Sequence, residues 1–323
     1  MKKTQAWIAA LSMSSIALLS ACSSGDSDTA APAGSGAASP AAPSNALEGL
    51  TGTIGSKDFS EQYILAHMTG ELLNANGADV DVNTKLVGSQ NVRQALENGD
   101  FIGYWDYTGT GWITYLGNTK PITDPQEQFT AVKEADAANG IAWLDPAPFN
   151  NTYAFAIRKE KADELGVKTL SDVAALPESE QTFCIESEFS TRDDGWPGLK
   201  AAYNFQAPDS NVKMLDTGVI YTATQEGKDC NFGEVFSTDG RIKALDLVVM
   251  EDDKKFFPVY QGSMTVDAKT LEQYPAIADV MAKLSPLLTT EVMQTLNAQA
   301  DVDGEDPEDI ANEFLVQQGL ISG

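Results

Sequence analysis

Aromatic side chains stand in polar turns at four places in this sequence, rather than on the apolar stripes typical of core residues. The four places are residues 104–110, 150–153, 235–240 and 256–260. Core packing explains any one such ring. Four together indicate a site built of aromatic faces, which attract a diffuse positive charge. A quaternary ammonium group suits such a site, because it has no N–H for hydrogen-bond acceptors to hold.

Residue types suited to catalysis are scarce. The one histidine, His67, lies within an amphipathic helical pattern, where a surface or packing role fits better than general-base work. One histidine and no spare thiol exclude most catalytic triads and most transition-metal sites. The adjacent acids Asp252 and Asp253 point to different faces of any regular element, which suits a glycosidase poorly. We therefore expect no catalytic residue, no metal and no cofactor.

An acidic run at residues 301–306 is superficially similar to a calcium-binding loop. Its glycine, Gly304, stands at the wrong position, and Asn312 occupies the place where a bidentate glutamate is needed. We expect a solvated turn before the last helix instead. In that helix Asp306 is the predicted N-cap and Pro307 the first helical residue.

The overall charge is strongly negative, with a formal net charge of -26 at pH 7. This charge excludes nucleic acid as a partner, because phosphates require a basic surface. It also disfavours peripheral binding to anionic lipid through a basic face. A solvated acidic exterior accounts for the charge and is compatible with attracting a cationic solute.

The N-terminal residues have the pattern of a bacterial lipoprotein signal. Lys2 and Lys3 precede a short apolar run, which ends in the lipobox-like sequence LSAC at Cys22. Cys22 would carry the lipid, although an ordinary cleaved signal with an incidental cysteine is the alternative. Residues 22–46 consist mostly of Ser, Gly, Ala, Pro, Asp and Thr, which predicts a flexible tether. We expect a lipid-anchored protein on the extracytoplasmic face of the cell membrane, in a Gram-positive envelope.

The two remaining cysteines, Cys184 and Cys230, form an even pair. In an exported protein such a pair favours a disulfide over a metal site or a nucleophile.

Strands and helices alternate along the first part of the folded chain. The patterns predict strands at 51–55, 80–87 and 101–105, with helices from about residue 60 to Asn76 and over 90–96. Such alternation predicts a mainly parallel sheet that binds ligands at the carboxyl ends of its strands.

A second alternation follows and predicts a second lobe. It has strands at 153–157, 182–185 and 244–250 and helices at 169–175 and from 196 to 203, after which the chain returns over 254–259 and is helical from 273. Two α/β lobes joined by two crossover strands form a cleft that closes by a hinge. The expected domains are a signal peptide (1–21), a tether (22–46), the first lobe (47–150 and 255–323) and the second lobe (151–254).

Six motifs, in order, give the sequence a resemblance to a known family. They are GSKDFSEQ at 55–62, DYTGT at 106–110, FNNTYA at 149–154, DGWPGL at 194–199, FSTDGRI at 236–242 and FFPVY at 256–260. The chain after the tether resembles the glycine betaine/choline/carnitine-binding proteins of osmoprotectant ABC importers. The resemblance implies a type II periplasmic-binding-protein fold and a monomer without enzymatic activity. It also implies delivery of a small quaternary-ammonium ligand to the ABC permease and ATPase subunits.

The resemblance further implies the residues of the binding site. An aromatic box for the trimethylammonium group falls at Tyr107, Tyr153, Phe236 and Tyr260. Contacts to the carboxylate and other polar parts fall at Lys57, Thr110, Asn151, Glu188 and Arg192. At Asn151 the contact is a backbone carbonyl that faces the methyl groups.

Two positions in this site depart from the family, and two of the transfers have alternatives. Phe236 stands where tyrosine is common, and Asp106 where glutamate is more usual. Lys57 precedes a helix N-terminus, which favours an anion, but a surface lysine is the alternative. The alignment near Arg192 can slip by one or two residues. Arg192, followed by two aspartates, could also form a surface ion pair.

The choice of solute stays open among glycine betaine, choline, carnitine and proline betaine. A carboxylate ligand is favoured if Lys57 and Arg192 both reach the site. A polyamine or basic amino acid is an alternative on the same fold, but its N–H donors call for carboxylates rather than rings. A lipid-anchored envelope hydrolase is a further alternative, which the scarcity of histidine and thiol disfavours.

Overall fold

The computed structural model describes residues 45–323, which form an α/β fold with two five-stranded sheets. The predicted signal peptide, Cys22 and nearly all of the tether lie outside the described residues. Within the part of the chain that is described, no helix is long and apolar enough to cross a membrane.

The first sheet has the strand order β2-β1-β3-β10-β4. Its strands are β1 (Thr51–Gly55), β2 (Asp79–Asn83), β3 (Gly103–Tyr107), β4 (Ile141–Trp143) and β10 (Gly262–Asp267). Strand β1 runs parallel to β2 and β3, whereas β10 runs antiparallel to β3 and β4. Four helices accompany β1 to β4, namely α1 (Ser60–Ala75), α2 (Ser89–Asn98), α3 (Thr108–Thr110) and α4 (Pro125–Asp136).

Helix α1 supplies much of the core of this lobe. Its residues Ile64, Leu65, Met68 and Leu72 are buried, at the spacing of one helix face. The C-terminal helices complete the lobe: α10 (Ala268–Gln273), α11 (Ala276–Leu284), α12 (Thr290–Ala298) and α13 (Pro307–Gln317). As predicted, the Asp306 side chain caps α13.

The second sheet has the strand order β7-β6-β8-β5-β9. Its strands are β5 (Tyr153–Arg158), β6 (Phe183–Ile185), β7 (Val212–Met214), β8 (Phe232–Phe236) and β9 (Leu247–Val249). Its helices are α5 (Lys159–Leu165), α6 (Leu170–Ala174), α7 (Trp196–Tyr203), α8 (Thr217–Glu226) and α9 (Arg241–Ala244). Cys184 and Cys230 are joined in a buried disulfide, with their Cα atoms 5.7 Å apart, which ties β6 to the segment before β8.

The chain passes from the first sheet to the second between β4 and β5, and returns between β9 and β10. The two crossing segments lie side by side, since Asn150 pairs with Gln261 in an antiparallel bridge. Strand β5 leads out of one crossing and β10 out of the other. Each runs against its neighbours, so both sheets are mixed, with two parallel and two antiparallel pairings each. The α/β class is confirmed, but the expected mainly parallel pairing within each sheet is not found.

Four predicted features also differ. Strand β2 ends at Asn83 rather than at Val87, and β3 begins two residues later than expected. Ala244 ends helix α9 instead of starting a strand, and residues 254–259 cross between the lobes without forming a strand. Phe101 and Ile102 look strand-like because they are apolar, but they pack against the core before the ladder begins.

Candidate functional site

A cavity of about 350 Å³ lies between the two sheets. The four residues of the predicted aromatic box all line it: Tyr107, Tyr153, Phe236 and Tyr260. The five predicted polar residues line the same cavity: Lys57, Thr110, Asn151, Glu188 and Arg192. The structure therefore brings together residues from both lobes that are up to about 200 positions apart in the sequence.

The rings stand at the ends of strands that point into the cleft. Tyr107 ends β3, Tyr153 begins β5 and Phe236 ends β8. Tyr153 and Phe236 are paired residues of the antiparallel β5–β8 ladder, and their ring centroids lie 5.3 Å apart. Tyr260 meets Tyr153 edge-on, at 5.3 Å and an interplanar angle of 87°. Backbone pairing thus holds the Tyr153 and Phe236 rings together, and Tyr153 also contacts the Tyr260 ring.

Phe59 lies between the Phe236 ring and the fourth ring of the box, Tyr107. It was not among the site residues predicted from the sequence. Its ring lies nearly parallel to Phe236, at 5.5 Å, and to Tyr107, at 6.3 Å. Phe59 also lines the cavity. The only signal in the sequence is its position inside the GSKDFSEQ motif, two residues after Lys57.

Two tyrosines of the box donate their hydroxyl hydrogens to buried carboxylates. Tyr107 donates to Glu61 at 2.7 Å, and Tyr260 donates to Asp194 at 2.7 Å. Burial, reinforced by the nearby carboxylate, raises the pKa of each tyrosine well above its usual value of 10. Both hydroxyls stay protonated, so each ring is held in one orientation. Phe236 has no such hydroxyl, but its backbone N–H donates a hydrogen bond to the Tyr221 hydroxyl at 3.0 Å.

Lys57 is buried, so the alternative of a surface lysine is wrong. Its side chain is 5% exposed, and its Nζ lies 2.6 Å from Oδ1 of Asp106. Asp106 also accepts hydrogen bonds from the Tyr104 hydroxyl and from the backbone N–H of Tyr107. The Nζ atom stands 4.9 Å from the centroid of the Tyr107 ring. The aspartate that departs from the family pattern is therefore the ion-pair partner of Lys57.

Arg192 is buried as well, which rules out a surface ion pair. Its guanidinium donates to both carboxylate oxygens of Asp194, at 2.6 and 2.7 Å, and to Glu188 at 2.8 Å. A longer contact of 3.5 Å reaches Thr110 Oγ1 in the other lobe. Arg192 also stands 5.5 Å from the centroid of the Tyr153 ring. Both cations of the site thus reach the cavity already paired with carboxylates.

Glu188 bridges the two lobes. Its Oε2 atom accepts a hydrogen bond from the backbone N–H of Ser89, the first residue of α2, at 3.0 Å. Burial opposes its ionisation, but attraction to Arg192 and Lys57 and the Ser89 hydrogen bonds outweigh it, so the pKa of Glu188 is below 4.5. Helix α2 has no capping side chain of its own, so Glu188 supplies a cap from the opposite lobe.

Further contacts close the cleft on the side of α12. Asn297 donates to the carbonyl oxygen of Thr238 at 2.9 Å, and Arg241 pairs with Asp301 at 3.3 Å. Asp301 also accepts a hydrogen bond from Ser60 at 2.6 Å. The prediction of a solvated turn is therefore wrong for Asp301, although residues 302–306 are exposed. The lobes are in contact on both sides of the cavity, as in a closed form.

The residues considered for catalysis lie elsewhere. His67 is half-buried in α1, and burial lowers its pKa despite the nearby Glu308 and Asp306. Asp252 accepts hydrogen bonds from two backbone N–H groups, and Asp253 from Ser171. In the described part of the chain, no group of three or more His, Cys, Asp or Glu residues is placed to hold a metal ion.

Two α/β lobes that enclose a small cavity beside a double crossover define the class of substrate-binding proteins of ABC importers. Residues 52–317 match the family described as the substrate binding domain of the ABC-type glycine betaine transport system. The chain belongs to this family, as the six motifs indicated.

Similar proteins agree with this family. The chain is 35% identical over 276 residues to a glycine-betaine-binding protein of Pseudomonas aeruginosa, covering 83% of this chain and 88% of that one. It is 35% identical over 279 residues to an ergothioneine transport permease/ergothioneine binding protein of Helicobacter pylori, covering 86% of this chain and 49% of that longer protein.

A solved structure described as a glycine betaine/carnitine/choline ABC transporter matches with a TM-score of 0.70 and 31% identity. The match covers 83% of this chain and 99% of that one. The chain is thus a substrate-binding protein of an ABC importer, which works outside the cytoplasm, binds a small ligand and interacts with a permease. The predicted fold family and class of function are confirmed.

Proposed function

We propose that this chain captures a small quaternary-ammonium osmoprotectant, such as glycine betaine, choline, carnitine or proline betaine, and delivers it to its permease. The observation that carries the proposal is the convergence of Tyr107, Tyr153, Phe236 and Tyr260 on one cavity, with Phe59 beside them. Aromatic faces from both lobes suit a permanently charged nitrogen that has no hydrogen to donate. Closure of the lobes would bring the rings around it.

The rings alone do not account for tight binding. Each desolvated ring contributes about 0.5 to 2 kcal/mol, whereas micromolar affinity corresponds to about 8 kcal/mol after association costs. The polar end of the ligand must contribute as well. Lys57, Thr110 and Arg192 supply donors there, for a carboxylate or for the oxygen of a hydroxyl group.

The same geometry disfavours the alternative solutes. Primary and secondary amines require carboxylates that are free to accept their N–H groups. Glu188, which lines this cavity, is paired with Arg192, and the carboxylates of Asp194 and Asp106 are paired with Arg192 and Lys57. The two other carboxylates that line the cavity, Asp58 and Glu186, accept backbone N–H groups. The family assignment likewise favours an osmoprotectant over a polyamine or a basic amino acid, and over a substrate of an envelope hydrolase. We propose that the protein has no catalytic activity and needs no cofactor or metal.

We also propose the setting in which the protein works. Cys22 would be lipidated after removal of residues 1–21, and residues 22–46 would tether a monomer to the extracytoplasmic face of a Gram-positive membrane. The first lobe would comprise 47–150 and 255–323, and the second 151–254. The division of the strands between the two sheets supports these boundaries. Mass spectrometry of membrane-extracted protein tests the lipid on Cys22.

Isothermal titration of the mature protein tests the proposed ligand class. The panel is glycine betaine, choline, carnitine, proline betaine and ergothioneine, with a polyamine and arginine as alternatives. We expect at least one quaternary ammonium compound to bind in the micromolar range or tighter. Tyr107→Ala and Tyr260→Ala should each weaken its binding more than tenfold, since each removes a ring and its contacts. Tyr63→Ala, which removes a ring of α1 outside the cavity, is the matched control. Unchanged affinity in both cavity variants, or binding of none of the quaternary compounds, would contradict the proposal.

A further inference from the structure

The carboxylate of Glu61 is buried directly behind the aromatic box. Glu61 is in the first turn of α1 and is 3% exposed. Its Oε1 atom accepts hydrogen bonds from the Tyr107 hydroxyl at 2.7 Å and from Asn151 Nδ2 at 2.6 Å. Its Oε2 atom accepts from Asn297 Nδ2 at 2.9 Å. All three donors are uncharged.

Within residues 45–323, no lysine or arginine forms an ion pair with Glu61. On the side of β3, Lys57 is paired with Asp106. On the side of the second lobe, Arg241 is paired with Asp239 at 2.5 Å and with Asp301 at 3.3 Å. These last three residues line a small cavity together with Glu61. Two cations therefore face four carboxylates, Glu61 included, and negative charge is in excess.

An ionised carboxylate in a dry interior is unfavourable unless a positive charge lies close to it. Consistent with this, burial raises the pKa of Glu61 above 4.5, although its hydrogen-bond donors act in the opposite direction. Two of those donors, Tyr107 and Asn151, line the cavity that we assign to the ligand. The carboxylate thus stands one side chain away from the proposed place of the ammonium group.

Resting on the proposed function, we propose that Glu61 is the buried counter-charge of the bound quaternary ammonium group and that it positions Tyr107 and Asn151 around that group. The bound cation offsets the excess negative charge that the protein has around Glu61. The attraction acts through a poorly screened interior, so it persists across the thickness of one ring. Because its hydroxyl donates to an anion, the Tyr107 ring is also more electron-rich, and its face attracts a cation more strongly.

The pH dependence of binding follows from this arrangement. A permanent cation binds the ionised form of Glu61 more tightly than the neutral form, so binding lowers the pKa of Glu61 and releases protons. Affinity should be constant well above the pKa of Glu61 in the free protein, and should fall as the pH drops through that value. Because burial raises the pKa of Glu61, the decline should begin at a higher pH than it would for an exposed glutamate.

Glu61→Gln tests the role of the charge, since glutamine keeps the size and an acceptor oxygen but is neutral at every pH. Choline is the probe, and the comparison ligand is its tert-butyl analogue, an uncharged alcohol in which carbon replaces nitrogen. Calorimetry should show a loss of about tenfold in choline affinity at neutral pH, equivalent to one unit of pKa coupling. Affinity for the uncharged analogue should be the same in both proteins.

The pH profile provides a second readout that a merely structural role would not change. From about pH 8 down to about pH 4, the choline affinity of the wild type should fall more steeply than that of Glu61→Gln. The pKa values of Glu186 and Glu234 are also raised by burial, so the difference between the two profiles is the quantity to compare. Glu71→Gln, on the same helix and outside the cavity, is the matched control.

Several outcomes would overturn the inference. They are equal choline affinity in wild type and Glu61→Gln, equal losses for choline and its uncharged analogue, or parallel pH profiles. If the variant does not fold, as judged by its melting curve, the wild type is titrated with choline in two buffers of different protonation heat. Absence of proton release across the pH range then overturns the inference. Failure of the wild type to bind any quaternary ammonium compound would instead refute the proposed function.

Discussion

Ser89→Pro would remove the backbone hydrogen bond from Ser89 to Glu188 between the lobes, together with the Ser89 hydroxyl, while leaving the charged and aromatic side chains of the cavity in place. The backbone N–H of Ser89 donates to Oε2 of Glu188 across the cleft, at 3.0 Å. Ser89 is the first residue of α2, where proline is accepted because no helical hydrogen bond uses that N–H. The preceding residue, Gly88, adds no side chain that would clash with the proline ring. The substitution therefore deletes a donor without breaking the helix.

The expected magnitude follows from the nature of this bond. A hydrogen bond to a charged group contributes about 1.5 to 3 kcal/mol, and a helix cap about 1 kcal/mol. When the lobes separate, water solvates Glu188 and offsets part of this hydrogen-bond energy. We therefore expect the substitution to lower the stability of the closed form, relative to the open form, by about 1 to 2 kcal/mol. Since the contact exists only when the lobes meet, the loss should appear as a five- to thirtyfold increase in Kd, or roughly tenfold.

Calorimetric titration with the tightest-binding osmoprotectant measures this change. Ser89→Ala keeps the N–H and removes only the hydroxyl, so it is the matched control. Small-angle X-ray scattering at saturating ligand then shows whether the proline variant still closes. Equal affinities of Ser89→Pro and Ser89→Ala would refute the reasoning, and Glu188 would then act only through Arg192 within its own lobe.

Three further variants test other parts of the structure. Phe59→Ala removes the ring stacked on Phe236 across the cleft and should cost about 1 kcal/mol of binding free energy by calorimetry; unchanged affinity would exclude Phe59 from the site. Burial opposes ionisation of Asp136, but hydrogen bonds from Arg93 keep its pKa below 3.8. The Arg93–Asp136 ion pair therefore stabilises the fold above pH 3.8, and this stabilisation is lost as the pH falls further and Asp136 is protonated. Asp136→Asn should lower stability at neutral pH by about 3 to 5 kcal/mol in denaturant titrations without altering affinity, and a gap that persists in strong acid would contradict this. The double variant Cys184→Ser, Cys230→Ser opens a link across 46 residues and should lose about 4 kcal/mol, with a lower melting temperature as the check.

The rings of the aromatic box that line the cavity could be predicted from the sequence, whereas the buried acids that hydrogen-bond to them could not. Tyr107, Tyr153 and Tyr260 are found from their setting in polar turns and from short motifs, which are local signals. The acids behind them are not marked locally. Glu61 has the pattern of a surface residue in the first turn of a helix, and only the packing of β3 and α12 against that turn encloses it. Tertiary contacts of this kind have no periodic signature.

In the fold, too, features that depend on nearby residues could be predicted from the sequence, and features that depend on distant contacts could not. Alternating patterns located β1, α1, α2 and β5 closely, because each depends on its own residues. The direction of β10 against β3 depends on how the chain returns from the second lobe, and no residue within β10 specifies that. Asp301 likewise lies in an acidic run that is otherwise exposed, and it differs from its neighbours through its contacts with Arg241 of the other lobe and with Ser60.

The paired crossing segments determine which walls of the cavity move. Tyr260 is tied to the first crossing by its backbone, since its N–H donates to the Asn150 side chain at 2.7 Å and its carbonyl accepts from the Asn151 N–H at 3.0 Å. Tyr153 begins its strand only two residues further on. Atoms near a pivot are displaced least when two bodies rotate about it, so these two perpendicular rings keep their spacing when the lobes swing apart. If the lobes open by such a rotation, an arriving solute meets these two rings already in position and the other residues of the cavity close around it, which would limit the conformational entropy lost on binding.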